Sequence, residues 1–95
     1  MEAPVHLWEV WLTKKAEKMT AKMPPDEQAA LLWLIGDLAT KGPVRGDWPN
    51  YSKLGGDLHH CHLSPKWVAC WEMKNKQLKL IEVYYAGSRK NAPYR

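Results

Sequence analysis

Hydrophobic and polar positions along the chain divide it into short, legible segments. Val5 to Leu12, V-H-L-W-E-V-W-L, is rich in Val and Trp and too short for a stable helix, which predicts a first strand. Thr13 offers an N-cap oxygen for a helix over Lys14 to Met23. Pro24-Pro25 ends that helix, because a residue before proline is pushed out of the helical region. Asp26 and Glu27 then favour the N-terminal dipole of a second helix, whose Leu31, Leu34, Ile35 and Leu38 recur at i, i+3, i+4 and i+7. Gly42-Pro43 stops it. Pro43 to Asp57, rich in Gly, Pro and Asp, reads as a loop. Three strands follow: Leu58 to Leu63 and Trp67 to Met73 about a Ser64-Pro65-Lys66 turn, and Leu78 to Tyr85 after Lys74-Asn75-Lys76. The segment after Tyr85 loses strand character and is expected to cross the end of the sheet.

Turns this short demand antiparallel neighbours, so the expected architecture is α+β, in the order β-α-α-β-β-β, with a helical hairpin on one face of an antiparallel sheet. A turn centred on Pro65 and Lys66 places Cys61 opposite Cys70. With that register Cys61, Leu63, Val68, Cys70, Ile81 and Val83 lie under the helices, and His60, His62, Ala69, Trp71, Glu82 and Tyr84 share the other face. Side chains two apart on a strand stand roughly 6.5–7 Å apart, a separation that suits one acid and one base across a reacting phosphate. A histidine on a strand is more often a surface or hydrogen-bonded residue, and that plainer reading stands beside the chemical one. His59 points the other way and is given no chemical part.

Composition narrows the setting. Ninety-five residues with 45% hydrophobic and 25% charged content make one domain, residues 1–95, with six Trp and no Phe to supply its core. The longest apolar run, Ala29 to Ile35, is far below the roughly 20 residues of a bilayer span. No basic and apolar secretion signal is visible in M-E-A-P, so a cytoplasmic protein away from membranes is expected. Residues 1–40 carry four Lys against six acids, while residues 41–95 carry ten Lys and Arg against four. The second half therefore attracts polyanions, nucleic acid first, unless its charge merely keeps the surface soluble. Cys61 and Cys70 form no metal-type C-x-x-C pair and read as reduced, buried residues.

Five stretches together resemble the RelE/ParE superfamily of bacterial type II toxins: W-E-V-W-L-T before a Lys-rich helix, D-L-A-T-K-G-P, K-L-G-G-x-L-x-x-x-x-L, P-K-W-V-A-C-W-E, and I-E-V-Y-Y-A-G-S-R-K-N-A-P-Y. Around H-L-S-P-K-W the chain looks most like the YafQ branch. The resemblance implies a microbial RNase-like fold and ribosome-dependent, metal-free cleavage of messenger RNA, with no cofactor. It implies a cognate antitoxin as partner, besides ribosome and mRNA, with operator DNA met only through the antitoxin. The family's strand positions fall on His60 and His62, its tail cation on Arg89 with Lys90 beside it, and its terminal aromatic on Tyr94. The acid which the YafQ branch carries before its tryptophan is Lys66 here.

Such cleavage needs a base for the 2′-hydroxyl, cations for the phosphorane and an acid for the 5′-oxygen. Histidine suits the first or last task and arginine the second. The expected catalytic set is His62 as base or acid, His60 as its partner or a phosphate contact, Arg89 on the phosphorane and Tyr94 as orienting group. Lys53, Lys66 and Lys90 are expected to bind RNA, and Trp71 and Tyr84 to stack a base. Glu82 either orients a histidine or is a salt-bridged surface acid. Trp8, Trp11 and Trp33 are assigned to packing. Three other readings remain: a ParE-type inhibitor of DNA gyrase without chemistry of its own, a metal site on His60-x-His62, and an attenuated toxin serving as an antitoxin-bound co-repressor.

Overall fold

The computed structural model describes residues 7–94. Val5 and His6, placed in the first strand above, lie outside the described residues. Strand β1 (Glu9–Leu12) leads through Thr13, whose Oγ1 accepts the Ala16 amide at 3.0 Å, into α1 (Lys14–Ala21). After the Pro24 break comes α2 (Pro25–Lys41), with Pro25 in its first turn and Asp26 and Glu27 at its positive end. Gly42 closes α2 by donating its amide to Leu38 O, in the left-handed region at φ +95°. An added Cβ there would meet the Trp8 indole at 3.0 Å, so backbone and packing both require glycine.

Four strands follow: β2 (Ser52–Gly55), β3 (Leu58–Ser64), β4 (Trp67–Asn75) and β5 (Leu80–Ser88), then a 3-10 turn at Arg89–Asn91. The sheet order is β1-β5-β4-β3-β2, with β1 parallel to β5 and the other pairs antiparallel. The α+β class and the helical pair on a sheet match expectation; the extra strand and the parallel pair do not. β2 is four residues long, mostly exposed, and sits at an edge, so it carries no apolar alternation to reveal it. The parallel pair arises because the two helices carry the chain from the first strand back across the sheet before the meander begins.

The hairpin register differs by one residue from the expected one. His60 pairs with Cys70 and Cys61 with Ala69, because a bulge between His62 and Ser64 absorbs a residue beside the turn. Cys61, Ala69, Trp71, Ile81 and Val83, all wholly buried, therefore lie under Leu31, Leu34 and Leu38 of α2. Val68 and Cys70, assigned to that side, instead face the histidines. A second bulge leaves Tyr84 without a partner, since Cys70 pairs with Tyr85 and Trp71 with Val83. Both cysteines are free and buried, with desolvation pushing each thiol up to about 12. On the histidine side Val68, Cys70 and Tyr85 form a smaller core with Met19, Tyr84, Ala92 and Tyr94, which folds the chain after β5 back onto the sheet. None of the described helices is long and apolar enough to cross a membrane.

Candidate active site

Strand β3 presents His60 and His62 on the face away from α2, with ring centroids 6.0 Å apart. Both are buried, at 7% and 9% exposure, yet they look in different directions. His60 Nδ1 lies 2.9 Å from Ser52 Oγ on the neighbouring edge strand, and the Tyr94 ring covers it at 4.3 Å between centroids. His62 lines an open groove of about 300 Å³ with Asn50, Pro65 and Arg89. Burial lowers the pKa of both imidazoles; the Arg89 charge lowers His62 further, while for His60 the Ser52 main chain acts to raise it and the His62 charge to lower it. Both rings are thus biased toward the neutral form at neutral pH, able to accept a proton.

Main-chain bonds hold this groove. Arg89 N donates to Lys66 O at 2.8 Å, tying the 3-10 turn to the β3–β4 turn, and His62 N donates to Pro49 O at 2.8 Å, tying the strand end to the loop before β2. That loop is pinned in turn. Arg45, at 8% exposure, donates to Gly42 O and to both Asp47 oxygens, while Trp48 Nε1 donates to Asp37. Behind it His59, Tyr51 and Trp71 stack, with His59 and Trp71 5.8 Å apart at 7° and the Tyr51 hydroxyl 2.7 Å from His59 Nδ1. Burial, then the Lys53 charge, lowers the His59 pKa against Asp57. His59 is structural, on the face expected of it.

Tyr94 arrives over His60 because Ala92 and its own ring pack into the smaller core. Its hydroxyl is the one buried side-chain polar atom among the described residues without a hydrogen-bond partner. Burial pushes that hydroxyl above the ordinary tyrosine range, so it remains a donor at neutral pH. The structure thus brings His60, His62, Arg89 and Tyr94 to one place. Lys66 and Lys90 line a second groove, of about 500 Å³, which shares Pro65 and Arg89 with the first.

Other expected residues fall elsewhere. Trp71 is wholly buried, and its Nε1 donates to Pro43 O at 2.9 Å, so it cannot stack a base; the one-residue register shift turned it under the helices. Lys53 pairs with His59 and so sits on the helix side of the sheet, away from the histidine pair. Tyr84 is half-buried beside Cys70, and desolvation, then the Cys70 and Glu72 charges, raise its pKa to about 12. Glu82 lies 4.0 Å from Lys74 and has no histidine neighbour, which is the salt-bridged reading. Of the three tryptophans assigned to packing only Trp8 packs; Trp11 and Trp33 are 53% and 74% exposed. Sequence reasoning passed over Trp67, which pairs with Ser88 and lines the second groove; its place after Lys66 in P-K-W was the available signal. Among the described residues no three His, Cys, Asp or Glu side chains gather as a metal cluster would.

No family model matches the chain, and no curated protein matches it in sequence. Solved structures do match in shape. The RelE–RelB complex of Pyrococcus horikoshii aligns at TM-score 0.70 and 18% identity, over 90% of this chain and 98% of that one. A metal-bound toxin from Helicobacter pylori aligns at 0.67 and 22%, over 88% and 97%. The E. coli DinJ–YafQ complex aligns at 0.69 and 14%, over 87% and 93%. Two helices packed on a five-stranded mixed sheet match the fold of the RelE-like toxins, and this chain has that fold.

Proposed function

We propose that this chain is the toxin of a toxin–antitoxin pair and that it cuts messenger RNA at the ribosome. The observation that carries the reading is one groove lined by both His62 and Arg89, with His60 and Tyr94 packed together beside it. Neutral His62 takes the proton of a ribose 2′-hydroxyl. The 2′-oxygen attacks the adjacent phosphorus, Arg89 stabilises the dianionic phosphorane, and the bond to the 5′-oxygen breaks. The 5′-oxygen leaves with a proton from the Tyr94 hydroxyl, giving a 2′,3′-cyclic phosphate and a 5′-hydroxyl. No cofactor enters these steps.

An antitoxin partner is supported by the neighbours solved as complexes with RelB and DinJ, and by Leu32 and Trp33, at 70% and 74% exposure on the outside of α2. Side chains of that size left in water mark a surface for another protein. Contact with operator DNA would then run through the antitoxin, and the site of action would be the cytoplasm.

Induced expression with cut sites mapped on ribosome-bound messenger tests the reading. The parent chain arrests growth and cuts; His62→Gln and Arg89→Ala each reduce cleavage about 10²–10⁴-fold, the range of one acid–base or charge-stabilising group. Arrest that survives both substitutions while plasmid supercoiling falls would overturn it in favour of a gyrase inhibitor.

A further inference from the structure

The histidine groove does not end at Arg89. It shares Pro65 and Arg89 with the groove holding Lys66, Trp67 and Lys90, and that groove shares Trp67 and Ser88 with a third, of about 360 Å³, along α1. The third is bordered by Lys15 in the first turn of α1 and Lys22 at its C-cap, with Met19 between them, about 10 Å apart along the helix axis. Among the described residues no acidic side chain lines any of the three. Among the described residues every ion pair involves Lys41, Arg45 or Lys74, so the five cations along this path are unpaired.

The α1 end is fixed to the sheet and is not a drifting surface helix. Thr13 N donates to Val83 O where β1 stops, and Met19 lies so close over Gly87 that an added Cβ would meet its Cε at 2.8 Å. The lysines therefore stand at a set distance from Arg89. A row of unpaired cations over an aromatic floor fits a flexible polyanion with flat bases, since phosphates take the cations and bases the ring.

We infer that Lys15 and Lys22 extend the histidine groove into a track for single-stranded RNA, gripping the strand beyond the nucleotide that is cut. Resting on the nuclease reading, this adds a second contact region: each groove has the volume of a small-molecule site and holds about one nucleotide, so the track spans about three. Its role is affinity and strand direction, not chemistry.

Binding of 2′-O-methylated oligoribonucleotides, which cannot be cut, tests the track on the purified chain by fluorescence anisotropy. A nonamer is expected to bind at least about tenfold tighter than a dinucleotide, which is too short to reach from the histidine groove to Lys15 and Lys22. In the Lys15→Ala/Lys22→Ala variant that gain disappears, and the salt dependence for the nonamer falls by about 1.4 in log–log slope, two phosphate contacts on a single strand. Lys15→Arg/Lys22→Arg restores both, which excludes an indirect effect on the helix. A gain that persists in the alanine variant, or absence of binding to either oligonucleotide, overturns the inference. Cleavage by the parent separates the two readings: if the parent never cuts RNA but its nonamer binding still requires the lysines, the track stands and the nuclease reading fails.

Discussion

Replacing Tyr94 by Phe should stabilise this protein while impairing it. The ring packs with Val68, Cys70 and Tyr85 and covers His60, so the substitution keeps every apolar contact and removes one atom. That atom is buried and unpartnered. An unsatisfied buried hydroxyl costs roughly 1–3 kcal/mol. The lower end applies, because among the described residues beyond the 3-10 turn it is Ala92 and Tyr94 that pack into the smaller core, and so short a segment opens locally to water at little cost. The expected gain is about 1 kcal/mol, or about 4–8 °C in Tm for a domain of this size. Urea unfolding of the two chains at equal m-value measures it. RNA cleavage by the same variant should fall about tenfold, since a donor held without a partner beside His60 is free for a ligand. A Phe variant less stable than the parent would mean that the hydroxyl has a partner, and unchanged cleavage would remove it from the chemistry.

Other expectations follow from the same structure. His59, His60 and His62 all have folded-state pKa values below their unfolded value of about 6.5, so the unfolded chain binds more protons between the two values. Stability should be complete above pH 6.5 and decline on acidification below it, and His59→Gln should flatten that decline in urea titrations between pH 7 and 5; an unchanged slope would acquit His59. Cys61 and Cys70, raised to about 12, should resist a thiol reagent at pH 8 in the native chain and react fully in urea, so rapid native labelling would contradict their burial. Trp71→Phe strands the Pro43 carbonyl and should cost about 1–3 kcal/mol without changing RNA affinity per folded molecule. Lost affinity at an unmoved unfolding midpoint would return Trp71 to the binding surface.

How much of this was legible in the sequence depended on the range of the signal. Caps and breaks are local, and Thr13, Pro24-Pro25 and Gly42 bound the helices to within two residues of expectation. The shared face of His60 and His62 follows from alternation within one strand, which no neighbour can alter. Pairing between strands is different. A bulge of one residue beside Ser64 exchanged the faces assigned to Val68, Ala69, Cys70 and Trp71, because an odd shift reverses a whole strand. Nothing in H-L-S-P-K-W announces that bulge. Nor does a segment as polar as S-K-L-G announce β2, or any local pattern the parallel match of Glu9 with Leu80. Arg89 and Tyr94 were found through resemblance; their convergence on the histidines depends on the small second core, which alternation alone does not foresee.

The bond from Arg89 N to Lys66 O has a consequence for how such a site can change over generations. It joins main chain to main chain, so the span of the groove mouth does not depend on which side chains stand at 66 and 89. Charge, length and proton affinity at those two positions can be traded one substitution at a time while the frame stays where it is. Proline at 89 is the natural exception, since it alone lacks the hydrogen that the bond requires. A frame of this kind lets related chains diverge in what they recognise without first relearning how to fold.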